Sequence, residues 1–271
     1  MAGEEQAPWA VLETELDAWS AVGREAEVWW RDDDATAPTA ALERLLDLAA
    51  GVGAPLALAV IPDKAEAALA RLLDGQPAQT TVLQHGYAHS NHAAADAKKC
   101  ELVSPAARPA VVEELRRGQD GLLKLFGSGF LPVVVPPWNR MAEDLISRLP
   151  GLGFTGLSTY RPRQAAEAAP GLGQVNCHLD ILQWRPERRF LGTRAALDLL
   201  VGHLAAKRRG TADPAEPSGI LSHHQAHDAA AWDFLAELLA RLGRHPAAAL
   251  VTAQQAFTAR PAGRAQHEAA G

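Results

Sequence analysis

The segment Gln84-His85-Gly86-Tyr87-Ala88-His89 sets two imidazoles four residues apart, just after the short apolar run Thr81-Val82-Leu83. Neutral imidazole nitrogens bind Zn²⁺ and related ions, and a pair at this spacing can point the same way from one turn. Ten histidines in 271 residues give about 0.4 such pairs by chance, so the pair means something only in company. That company begins at Glu27-Val28-Trp29-Trp30-Arg31-Asp32-Asp33-Asp34, where an apolar strand runs into three consecutive carboxylates. A run of acids is commonly a solvated surface or a helix N-terminus. Here a turn and a helical pattern follow, which places the carboxylates where a strand hands over to its helix, the functional rim of parallel α/β folds. Neighbouring carboxylates are costly there unless a cation neutralises one and a proton or an arginine serves the other. Two His and one Asp make an open zinc-type site with a position left for water.

Three later clusters also end strands. Val133-Val134-Val135 leads into Pro136-Pro137-Trp138-Asn139-Arg140, a rigid loop able to wall a pocket, or else a strand-ending turn with Trp138 packed on the core. Asn176 to Trp184 offers the carboxylate of Asp180 with an aromatic four residues on, and His178 there reads as a local hydrogen-bonding residue. Gly219 to Asp228 delivers His223, His224 and His227 to the same rim, where an imidazole near a carboxylate is suited to proton transfer. His223 and His227 are themselves four apart and form a rival metal pair. His203, His245 and His267 read as ordinary surface or partly buried residues.

Alternating strands and helices must position these groups. Strand candidates are 27–31, 56–61, 80–84, 132–135, 154–158, 173–177 and 218–223, short and apolar and mostly bounded by Gly or Pro. Helical patterns fill the intervals: Pro38 can open the first, with Leu42, Leu45, Leu46 and Ala49 as its buried stripe, and others cover 64–73, 109–126, 141–149, 194–208 and 229–242. Thr193 is the expected cap of the fifth. Seven strands with intervening helices predict a parallel barrel or strongly curved sheet, with an open doubly wound sheet as the alternative. One domain is expected over 1–258, with 1–22 as an added helix and 259–271 as a mobile tail. At 271 residues and 48% apolar content the chain can bury one sizeable core. A net charge of −6 with dispersed basic residues argues against a nucleic-acid partner. Two cysteines cannot build a disulfide framework. The acidic, polar start Met1 to Gln6 lacks a secretory pattern, and no run is long and apolar enough to span a bilayer, so a cytoplasmic chain without a membrane partner is expected.

In order, Arg31-Asp32-Asp33-Asp34, His85 to His89, Pro136-Pro137-Trp138, Asp180 to Trp184 and Leu221-Ser222-His223 resemble the five motifs of the NodB-homology polysaccharide deacetylases, carbohydrate esterase family four. The resemblance spans about residues 27 to 228 and implies a distorted seven-stranded parallel β/α barrel of that type. It implies metal-dependent removal of an N-acyl group, most simply N-acetyl, from a carbohydrate. A divalent ion, zinc by default with cobalt or nickel as alternatives, would be held by Asp34, His85 and His89. Asp33 would be the base, His223 the acid, and Asp180 the group that holds or tunes His223. Trp138, Asn139, Arg140, Trp184 and Tyr87 are the expected substrate contacts.

Three departures stand out. Val135 occupies the position where the third motif normally begins with the Arg that orients the catalytic Asp, and Arg31 and Arg140 are the nearby cations that are candidates to substitute for it. Gly86 replaces the usual Ser or Thr, and Ala35 the usual Gly. With three Asp in a row, Asp32 and Asp33 compete for the role of base. Two other functions fit the same residues: an amidohydrolase acting on a different small C–N substrate, or a non-catalytic carbohydrate-binding relative.

Overall fold

The computed structural model describes residues 8–74 and 79–258, so the expected tail at 259–271 lies outside the described residues. After helix α1 (Ala10–Ala21) the chain alternates β1 (Ala26–Ala35), α2 (Ala40–Val52), β2 (Leu56–Val60), α3 (Ala67–Asp74), β3 (Thr80–His85), α4 (Ala110–Phe126), β4 (Phe130–Val135), a short α5 (Glu143–Ile146) and β5 (Gly156–Leu157). Five short strands follow: β6 (Glu167–Ala169), β7 (Leu172–Gln174), β8 (Leu179–Asp180), β9 (Leu182–Gln183) and β10 (Arg189–Phe190). The chain then runs through α6 (Thr193–Arg208), β11 (Ser218–Ser222), α7 (Ala229–Arg244), β12 (Ala248–Leu250) and α8 (Ala253–Thr258).

The main sheet runs β6-β7-β5-β4-β3-β2-β1-β11-β8, with β12 paired to β1. Its pairings are parallel except β6 with β7. The path curls into a barrel because β7 and β8 lie on one continuous run of chain that pairs with β5 at its start and with β11 at its end, and the parallel bridge from Tyr160 to Cys177 extends the β5–β7 register. All seven expected strand segments carry sheet, while β6, β8, β9, β10 and β12 fall outside them. A two-residue strand shows no alternation, and the alanines of β12 carry no β signal.

Side-chain alternation sorts β1 into two layers. Val28 and Trp30 join the outer core beneath the helices, with Leu42, Leu45, Leu46, Leu235, Leu238 and Leu239. Trp29 points into the barrel and packs with Ala57, Ala59, Leu83, Val133, Val135 and Cys177, closed from below by Ala253 and Ala256 of α8. The indole of Trp29 crosses this interior to donate to the Asn176 carbonyl at 3.1 Å. That crossing leaves no room on the neighbouring strand: a Cβ at Gly219 would lie 2.6 Å from Trp29 Nε1 and 2.4 Å from the Asn176 oxygen. Each fully buried Leu of the outer layer contributes about 1.5–3 kcal/mol, so the helices are held mainly by this layer.

Two of the expected caps fall elsewhere. Helix α2 begins after Thr39, whose hydroxyl accepts the Leu42 N–H at 3.1 Å, rather than at Pro38. Thr193 is the first residue of α6, preceded by Gly192 at φ 94°, and makes no cap. Helix α7 is capped by Asp228, which accepts from Ala231 N–H at 2.8 Å.

Candidate active site

At the C-terminal ends of the strands, the three acids of β1 go to three different places. Arg31 and Asp33 are two residues apart and share the interior face. Arg31 Nε and Nη2 donate to the two Asp33 carboxylate oxygens at 2.8 and 3.0 Å. The guanidinium is itself anchored, with Nη1 on Ser158 Oγ at 2.6 Å and Nη2 on Asn139 Oδ1 at 2.9 Å. Burial works against its charge, but Asp33 outweighs that and raises its pKa. Of the two nearby cations, Arg31 is therefore the one on Asp33: Arg140 is exposed and donates to the Lys99 carbonyl at 2.9 Å.

Asp32, on the opposite face, is fully buried and accepts three bonds. They come from Ser222 Oγ at 2.6 Å, from His224 N–H at 3.0 Å and from His224 Nδ1. The Trp30 indole adds a bond to Ser222 Oγ at 2.8 Å. Asp32 thus grips both residues that flank His223, and its burial cost is met by His224, which holds it below the usual carboxylate range.

Asp34 should follow Asp32 outward by simple alternation. A register shift between Asp32 and Ala35 and a left-handed backbone at Asp34, φ 76°, turn it back over the barrel mouth. There its Oδ1 lies 3.1 Å from His85 Nε2 and 3.3 Å from His89 Nε2. His85 Nδ1 faces the Val135 carbonyl at 3.0 Å, and a carbonyl only accepts, so this nitrogen carries the proton and Nε2 presents a lone pair. Lone pairs of a carboxylate and two imidazoles converging within 4.8 Å repel unless a cation or proton lies between them. The donor set is mixed N/O and leaves positions open, which suits a divalent ion of the zinc type.

His89, at φ 58°, sits on a loop built by a residue that sequence reasoning missed. Glu101 is 1% exposed, and its carboxylate accepts the N–H groups of Tyr87, Ala88 and Ser90 at 3.1, 2.7 and 3.2 Å. It also explains Gly86, where a Cβ would come within 2.0 Å of Glu101 Oε2. Left-handed backbones recur around the cleft at Asp34, His89, Trp138 and Asn139. Such residues cost about 1–3 kcal/mol each, and here they aim side chains at one space.

That space is a cavity of about 810 Å³ lined by Asp33, Asp34, His85, His89, Trp138, Asn139, Arg140, Asp180, Trp184 and His223 among others. Tyr160, Asp96, Lys98, Lys99 and Arg185 also line it, and no motif signalled them. Tyr87 is not among the lining residues. Its carbonyl is tied to Asp63 N–H at 2.9 Å and its ring lies under Arg117, which turns it out toward α4. Asp180 does not hold His223 directly. Its oxygens accept from Leu182 N–H at 3.0 Å and from the Trp184 indole at 2.8 Å, and the Trp184 ring meets His223 edge-on at 4.7 Å. Burial raises the Asp180 pKa.

The rival pair does not converge, because His227 Nε2 accepts the backbone N–H of His223 at 3.3 Å. A second trio does: His178, His203 and Glu216, 5%, 6% and 0% exposed. His203, expected to be a surface or partly buried residue, is thus buried, because α6 lays it flat on the His178 ring at 3.4 Å between centroids. His178 Nδ1 accepts Gly219 N–H at 2.9 Å, so its Nε2 carries the proton and faces Glu216 Oε2 at 3.4 Å. Through Nδ1, His178 is a local hydrogen-bonding residue, as its sequence context predicts, while the Nε2 atoms of His178 and His203 are buried without a hydrogen-bond partner.

The fold is that of the NodB-homology, carbohydrate esterase family four deacetylases. A candidate polysaccharide deacetylase from Mycobacterium smegmatis superposes with a TM-score of 0.58 at 16% identity, covering 86% of this chain and 90% of the other. A family 4 carbohydrate esterase from Streptomyces lividans, solved with acetate, gives 0.50 at 19% identity over 80% and 90% of the two chains. The Bc1960 peptidoglycan N-acetylglucosamine deacetylase gives 0.51 at 17% identity over 88% and 90%. No family model and no curated protein matches the sequence.

Proposed function

We propose that this protein is a metal-dependent hydrolase that removes an N-acyl group, N-acetyl in the simplest case, from an amino sugar. The observation that carries this reading is the convergence of Asp34 Oδ1, His85 Nε2 and His89 Nε2 beside an arginine-held Asp33 in one cleft. A divalent ion on those three ligands, zinc by default, would acidify a water and polarise the amide carbonyl.

The remaining chemistry belongs to the chain. Asp33, fixed in orientation by two bonds from Arg31, takes the proton of the attacking water. His223, held between two residues gripped by Asp32, gives a proton to the departing amine. Trp184 and Trp138 wall the cleft on the His223 and His89 sides, giving apolar faces against which an acyl group and a sugar ring can lie. Arg31 answers the main argument for a non-catalytic relative, since the position left empty by Val135 is served from β1.

The test is acetate release from N-acetylated sugars by protein reconstituted with zinc, cobalt or nickel in turn. Release that disappears in Asp33→Asn, with the ion still bound, supports the reading. Absence of release from every sugar by folded, metal-loaded protein overturns it. Among the described residues no helix is long and apolar enough to cross a membrane.

A further inference from the structure

The mouth of the cleft carries a charge that the deacetylation chemistry does not use. Lys98 and Lys99 reach it from the segment after β3, Arg140 from the turn after β4, and Arg185 from the loop joining β9 to β10. Three separate loops thus bring four exposed cations to one opening, against one rim carboxylate, Asp96. Two of the four are placed by contacts at the rim: Arg140 Nη1 donates to the Lys99 carbonyl at 2.9 Å, and Lys99 Nζ lies 5.7 Å from the Trp138 ring centre.

The acids on the floor of the cleft do not balance this excess. Asp33 is paired with Arg31, and a divalent ion on the trio would offset Asp34 and Asp180 together. The rim is left three positive charges in surplus, on a chain whose net charge is −6. A surplus of one sign focused at a concave opening, against the sign of the rest of the molecule, attracts ligands of opposite charge and raises their local concentration. A neutral polysaccharide gains nothing from it, and scattered solubilising lysines would not gather at one opening from three loops.

We propose that the substrate is an N-acylated sugar bearing an anionic substituent, a phosphate or a carboxylate, which the rim formed by Lys98, Lys99, Arg140 and Arg185 receives while the acyl group lies between Trp138 and Trp184. The proposal rests on the deacetylase reading of the same cleft and names its substrate class. The acyl group is cleaved at the floor, and the anion stays at the rim throughout, so the charge acts on capture and orientation rather than on bond breaking.

The experiment compares matched substrates at 25 and 300 mM NaCl: N-acetylglucosamine, N-acetylglucosamine 6-phosphate and N-acetylmuramic acid. At low salt kcat/KM for one of the anionic sugars should exceed the neutral one by about tenfold or more, and the advantage should shrink at high salt as screening sets in. The phosphate and carboxylate arms distinguish the two anions. Because a phosphate can also ligate the ion, the ratio of anionic to neutral kcat/KM is measured again in Lys98→Ala/Lys99→Ala/Arg185→Ala. Collapse of the ratio toward one supports the rim, and an unchanged ratio overturns it. Equal rates on all three sugars overturn it as well. If no sugar is turned over, binding to metal-loaded Asp33→Asn is measured by calorimetry. Salt-sensitive preference for an anionic sugar, lost in the triple variant, would keep the rim while the deacetylase reading falls. Equal binding of all three sugars would remove the rim proposal.

Discussion

Asp34, His85 and His89 at the cleft mouth and His178, His203 and Glu216 beneath α6 each gather two imidazoles and one carboxylate within 4.8 Å, yet they differ in whether the Nε2 that faces the carboxylate carries the proton. At the mouth, the Val135 carbonyl takes the proton of His85 Nδ1 and turns a lone pair toward Asp34. In the interior, Gly219 N–H donates to His178 Nδ1, so a proton faces Glu216 instead. Glu216 is further occupied by the N–H groups of Arg163 and Asn176, each at 3.0 Å. One backbone contact, on His85 in the first trio and on His178 in the second, thus decides which ring atom faces the carboxylate, and residue type and distance alone do not.

The sharpest way to break this contrast is to remove ligands from each trio. His85→Ala and His89→Ala should lose the ion and fall to background turnover, whereas His203→Gln should keep about one ion per chain. Elemental analysis of the purified variants decides it, and loss of the ion in His203→Gln with retention in His85→Ala would reverse the assignment. Next in size is Asp33→Asn, which should keep the ion and lose about 10²-fold or more in kcat. Should Asp32→Asn instead abolish turnover while Asp33→Asn releases the ion, the roles along β1 shift by one residue. As assigned, Asp32→Asn removes only the grip on the residues around His223. It should cost about tenfold in kcat with KM and metal content little changed.

The smallest expected effect sharpens the interior half of the comparison. Burial drives the His203 pKa down to about 2 and lowers that of His178. The unfolded chain takes up a proton at His203 below about pH 6.5, one that the folded chain refuses until about pH 2. Stability contributed by the neutral ring is therefore complete above pH 6.5 and declines as pH falls through that window, by at most about 1.4 kcal/mol per pH unit. Urea midpoints at pH 7 and pH 5 should differ less in His203→Phe, which keeps a ring stacked on His178. Parallel pH dependence in both proteins would show that this histidine is not the acid-sensitive group.

Much of the fold was legible because it is written locally. Strand-length apolar runs punctuated by Gly and Pro marked every segment that became β1 to β5, β7 and β11, and the order of polar clusters after those runs matched the NodB order. The strand β12 was not legible, because Ala248–Leu250 carries no alternation and pairs with β1 only once the chain has come round more than 200 residues. Arg31 on Asp33 lay within reach of a period-two reading, but its anchors Ser158 and Asn139 are over 100 residues away. Glu101 lay in a loop with no motif, and its grip on the turn that carries His89 exists only in three dimensions.

By itself the sequence determined which side chains arrive at the C-terminal rim of the barrel, because a residue at the end of a strand is delivered there by hydrophobic periodicity and turn chemistry within a few neighbours. Only the tertiary structure decided what each does on arrival. It sent Asp32, Asp33 and Asp34 to three different partners through one register shift and one left-handed residue. It set the tautomers of His85 and His178 by the backbone group behind each ring, and it turned Tyr87 outward while gathering four cations from three loops over one opening. Those outcomes depend on distances between segments far apart in the chain, which are fixed when the barrel closes and not before.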